Sequence, residues 1–170
     1  MIFKKLIKRI NPIKKISIFK KDVFYNQDKL FKFDDNLNYQ YQNNKPFPHI
    51  ILDNFFEPKI LENVIKEIPT PFSKEKLIKK DIKNLQENKF AFRDTRKFGP
   101  YTQHLLYNLN SKNFLEFLTH LTGIKGILPD PYLLGAGFHQ ILRGGKLAVH
   151  ADFNLHPQLK LHRRINLLLY

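Results

Sequence analysis

The sequence predicts an α+β fold, with helices packed on one face of a sheet. Two observations carry this. Apolar residues recur at helical spacing in Pro58–Glu67, Tyr101–Leu109 and Lys112–Leu121. After Pro129 and Pro131 the pattern changes to strand-like runs divided by Gly144-Gly145. Helices first and strands later is the order of an α+β layout.

Each element follows from its local pattern. PFPHIILDNFF predicts a short strand at His49–Leu52. Ile60, Leu61, Val64, Ile65 and Ile68 then form an apolar stripe, so Pro58–Glu67 reads as a helix that opens on proline. Pro69 and Pro71 stop it. FAFRD (90–94) reads as a strand. Tyr101–Leu109 and Lys112–Leu121 read as two helices. The second has Ser111 as N-cap, Phe114, Leu115, Phe117, Leu118 and Leu121 as its buried stripe, and Gly123 just past its end. GFHQILRGGKLAVHAD predicts two strands joined by a Gly-Gly turn, and HRRINLLLY predicts a last strand.

Residues 46–170 form the expected folded domain, and 1–45 a basic N-terminal extension and connector. Residues 1–24 interleave eight basic side chains, among them Lys4, Lys5, Lys8 and Arg9, with Ile2, Phe3, Leu6, Ile7 and Ile10. This amphipathic spacing suits contact with an anionic membrane surface. A solvated extension is the reading the sequence favours. Residues 25–46, rich in Asn, Gln and Asp, read as a loose connector.

Composition narrows the function classes. The 170 residues contain no cysteine, which excludes disulfides and thiolate metal sites and fits a cytoplasmic protein. No apolar run approaches the length of a membrane-spanning helix. The net charge of +14 is mostly lysine, with arginine only at 9, 93, 96, 143, 163 and 164. Bidentate base recognition leans on arginine, so no specific nucleic-acid partner is expected.

The chemistry concentrates in GGKLAVHAD (144–152). On a strand, residues i and i+2 share a face, which would set His150 beside Asp152. An imidazole and a carboxylate side by side are two of the three ligands of a 2-His-1-carboxylate iron site. A histidine and an acid at this spacing also flank surface turns. In HRRINLLLY, Arg164, Asn166, Leu168 and Tyr170 would share one strand face, and Ile165, Leu167 and Leu169 the other. His49, His104 and His120 read as packing histidines, His139 as structural, and His156 and His162 as loop histidines. Arg93, Asp94 and Arg96 suit either a substrate rim or a surface ion-pair cluster.

Together these residues resemble the prolyl-4-hydroxylase-like branch of the Fe(II)/2-oxoglutarate-dependent dioxygenases. The resemblance spans about residues 46–170. It rests on the Pro-Phe-Pro-His opening, the following helix, the Gly-Gly pair, HxD, a basic pair and a strand ending in tyrosine. It implies the first strands of a double-stranded β-helix, a jelly-roll or cupin-like fold, here incomplete. His150 and Asp152 would hold Fe(II). Tyr170 would hydrogen-bond 2-oxoglutarate, Asn166 and Leu168 would line its pocket, and Gln140 would reach it. Arg164 would face the substrate, a small molecule or peptidyl group such as a prolyl residue. O2 is the implied oxidant and ascorbate a reductant of the iron. The third ligand and the basic anchor for 2-oxoglutarate are expected beyond Tyr170, so this chain is expected to be a fragment, inactive alone. Two other readings are a non-catalytic jelly-roll binding module and a basic surface-binding protein.

Overall fold

The computed structural model describes residues 35–70, 78–79 and 85–170. The basic segment 1–24 lies outside the described residues. Within them the chain mixes helix and strand. Helix α1 spans Asp35–Asn43, α2 Pro58–Glu67, α3 Pro100–Leu109 and α4 Lys112–Thr122; strands are β1 Ile78–Lys79, β2 Gln86–Phe92 and β3 Phe138–Leu147. A 3-10 turn, Thr95–Lys97, precedes α3. Among the described residues no helix is long and apolar enough to cross a membrane.

The helices form where local chemistry asks for them. Pro58 occupies the first turn of α2, where its missing N–H costs nothing. The Ser111 hydroxyl accepts from Phe114 N at 3.4 Å and caps α4. Gly123 takes φ +72° at the end of α4, a conformation that carries no Cβ penalty for glycine. Glu67 caps α3 across the fold: its carboxylate accepts from Tyr101 N (3.0 Å), Thr102 N (2.8 Å) and Thr102 Oγ1 (2.6 Å). That approach requires Gly99, because a Cβ there would run into the Glu67 carboxylate.

The helices bury one apolar cluster: Phe55, Ile60, Val64, Leu105, Phe114, Phe117, Leu118 and Leu121. Phe55 packs against Phe117 and Phe114 at ring-centroid distances of 5.4 and 6.2 Å. A second aromatic group joins helices to sheet. Phe98 packs edge-on against Phe92 at 4.9 Å and tilted against Phe138 at 5.5 Å.

The sheet is small and antiparallel, in the order β1-β2-β3, with most of its pairing between β2 and β3. Several expectations change here. Gly144 and Gly145 do not turn between two strands; they lie inside β3, where residues 142–145 bulge opposite the single residue Asn88. Gly144 adopts φ +76°, and a Cβ on Gly145 would press on the Glu87 and Leu142 carbonyls, so the bulge needs both glycines. The strand expected at 90–94 runs instead from Gln86 to Phe92. His49–Leu52 forms no strand, although Ile50 and Leu52 pack against the core. The expected last strand is absent: residues 163–170 are irregular and pair with no strand among the described residues. A strand needs a neighbour for its N–H and C=O groups, and apolar alternation supplies none. The connector also differs, since residues 35–43 form α1 and dock on α4. Asn38 Nδ2 donates to the His120 and Leu121 carbonyls, both at 3.0 Å, while Leu37 and Tyr41 pack on the core.

Candidate metal centre

His150 and Asp152 lie just past β3, in an irregular segment rather than on a pleat. The segment is pinned at its start by Ala148 N donating to Leu85 O at 2.7 Å. His150 Nδ1 lies 2.8 Å from the Ala148 carbonyl. A carbonyl only accepts, so Nδ1 carries a proton, and in the neutral form of the ring Nε2 keeps its lone pair. That nitrogen stands 3.7 Å from Asp152 Oδ1. In that form two acceptors face each other, and a cation between them satisfies both. A shared divalent ion holds cis N and O donors about 3 Å apart, within a side-chain adjustment of this spacing. The pair is open to solvent, with His150 34% and Asp152 50% exposed. Among the described residues no third His, Asp or Glu joins them.

The other oxygen of Asp152 is taken. Arg163 Nη1 lies 3.2 Å from Oδ2, while Arg163 Nη2 donates to Asn166 Oδ1 at 2.8 Å. The guanidinium sits 4.7 Å above the Phe153 ring. Arg163 returns to Asp152 because residues 154–163 close a tight loop. Leu155 bridges His162, His156 N donates to Leu161 O at 2.8 Å, and Arg163 N donates to Asn154 O at 2.8 Å.

His156 fills the inside of that loop. It is buried, and its Nδ1 accepts from Leu159 N at 3.1 Å and Gln158 N at 3.3 Å. The proton therefore resides on Nε2, which lies 3.2 Å from Asp130 Oδ1, off the line of a good hydrogen bond. The Asp130 carboxylate closes its own turn on Tyr132 N (2.9 Å) and Leu134 N (2.7 Å), and Asp130 N donates to Asn110 Oδ1 at 2.8 Å. A polar chain thus runs from Asn110, after α3, through Asp130 to His156 in the loop that carries Arg163.

The structure brings His150 and Asp152 together but employs other expected residues elsewhere. Gln140 Nε2 donates to the Pro69 carbonyl at 2.8 Å and ties β3 to the end of α2. Asn166 holds Arg163. Leu168 and Tyr170 are exposed on the irregular tail, and so is Arg164. Asp94 and Arg96 form an exposed ion pair at 2.9 Å rather than a pocket rim. Arg96 holds the Asp94 carboxyl below the usual carboxylate range, and Asp94 raises Arg96 in return. Partial burial pushes the His104 imidazole down.

Neither a protein-family model, nor a curated protein, nor a solved structure matches this chain. Sequence reading took His156 for a loop histidine, gave Arg163 no role of its own within the basic pair, and did not single out Asp130. Asp130-Pro131 and His156-Pro157 carried a usable signal, because a polar side chain before proline favours a self-bonded turn.

Proposed function

We propose that His150 and Asp152 are the protein side of a divalent-metal site in a Fe(II)- and 2-oxoglutarate-dependent hydroxylase acting on an amino-acid or peptidyl group. The observation that carries this reading is His150 Nε2 facing Asp152 Oδ1 at 3.7 Å, with the Nδ1 proton committed to the Ala148 carbonyl. Metal-ligating histidines characteristically give their second nitrogen to a carbonyl or carboxylate in this way.

When bound, Fe(II) supplies the redox chemistry that couples O2 and 2-oxoglutarate to C–H oxidation, giving succinate, CO2 and the hydroxylated product. The chain's own part is to hold two donors abreast and leave the remaining positions on the ion open. The helices laid against a small bulged sheet are read as the opening of a double-stranded β-helix. Tyr170 is the proposed hydrogen-bond donor to 2-oxoglutarate, with Leu168 beside it. Gln140 and Asn166 support the scaffold through Pro69 and Arg163.

Anaerobic equilibrium dialysis against Fe(II), with and without 2-oxoglutarate, tests the site. Wild type is expected to retain iron, and to retain more when 2-oxoglutarate is present. His150→Ala/Asp152→Ala is expected to lose both effects. Equal iron in the two proteins overturns the proposal.

A further inference from the structure

We infer that Arg163 is the positioning residue of this centre: its fork turns Asp152 so that one carboxylate oxygen is kept for the ion. The inference rests on the metal reading of His150 and Asp152.

Asp152 has no regular structure to orient it. It lies beyond the end of β3, half exposed, and the terminal torsion of an aspartate is broad. Something outside the residue must select one carboxylate orientation, and Arg163 has the contacts to do so. Its Nη1 is 3.2 Å from Asp152 Oδ2, so the opposite oxygen, Oδ1, is the one that faces His150 Nε2 at 3.7 Å. Its Nη2 donates to Asn166, and its guanidinium carbon lies over the Phe153 ring at 4.7 Å. Those contacts fix the guanidinium plane as well as its position. Its main chain is fixed too, by the bond from Arg163 N to Asn154 O.

The neighbouring residue gives the contrast. The Arg163 side chain is 24% exposed, whereas Arg164 is an exposed residue. Within the basic pair, position 163 turns inward and 164 outward. A lysine at 163 would keep the charge but lose the planar fork that serves Asp152 and Asn166 at once. With Oδ2 occupied, Asp152 offers the ion a single oxygen, which leaves more of the coordination sphere for small ligands.

Co(II) titration of the 170-residue chain, followed by calorimetry and visible absorption, tests this. Arg163→Gln is expected to weaken Co(II) binding by about 10- to 100-fold, the usual effect of losing a partner of a metal-ligating side chain. Arg163→Lys is expected to fall between wild type and Arg163→Gln. Asn166→Ala keeps the arginine but frees its fork, and is expected to weaken binding less, in the same direction. Guanidinium at sub-denaturing concentration is expected to restore affinity to Arg163→Ala, which a merely structural role would not allow. Should Arg163→Gln and Asn166→Ala bind like wild type while Asp152→Asn does not, the positioning role is overturned and the metal reading stands. Should Asp152→Asn also bind like wild type, the metal reading fails and this inference with it.

Discussion

The helical body and the segment after β3 are held by different forces. In α2, α3 and α4 the stabilising groups are buried aromatic and aliphatic side chains, with Phe114 only 2% exposed. From Ala148 to Tyr170 nearly every large apolar side chain is exposed, and His156 is the buried residue. That segment is held by the loop amides that donate to His156 Nδ1 and by the Arg163–Asp152 ion pair, with His156 Nε2 set against Asp130. Apolar burial is non-directional and collective, whereas a polar tether sets the position of one atom against another. The candidate site lies in the tethered part, where donor geometry matters more than gross stability.

The contrast breaks first in the core. Phe114→Ala is expected to cost about 3–5 kcal/mol in denaturant unfolding, as for a fully enclosed aromatic ring. Leu168→Ala, on the exposed tail, is expected to leave the midpoint unchanged. Comparable losses in both variants would mean that the tail is packed as the core is. Next comes the tether. His156→Ala removes the acceptor for two loop amides and is expected to lower the local opening free energy of residues 155–162 by about 1–2 kcal/mol. Amide exchange should quicken there and stay unchanged in α2 and α4. Equal quickening in the helices would show that the two regions open together. The smallest effect is expected at the sheet surface. Glu87 and Lys146 pair at 3.0 Å across β2 and β3, but both are at least half exposed. Glu87→Gln should change stability by no more than about 0.5 kcal/mol, and salt should reduce even that. A larger loss would mean that the bulged sheet depends on this pair.

What was legible in the sequence follows the range of each interaction. The bounds of α2, the cap at Ser111 and the left-handed residue at Gly123 were all readable, because a helix satisfies its backbone within a few residues. Even there the stripe was too broad: Ile60 and Val64 are buried while Ile65 is exposed. The strands were harder. HRRINLLLY alternates as a strand should, yet no neighbour pairs with it among the described residues. Gly144-Gly145 has the composition of a turn, but the partner strand makes it a bulge. His150 and Asp152 meet as expected, although an irregular segment rather than a pleat brings them together.

From the residues alone, then, came the α+β class, the helices with their caps, and the nearness of an imidazole to a carboxylate two positions on. Each depends on groups a turn or less apart along the chain. Only the tertiary structure decided that Asn110 reaches Asp130, that Asp130 faces His156, and that Arg163 comes back to Asp152. Those contacts join residues from eleven to twenty-six positions apart along the sequence. Loop closure selects them, and no local propensity encodes where a loop will land.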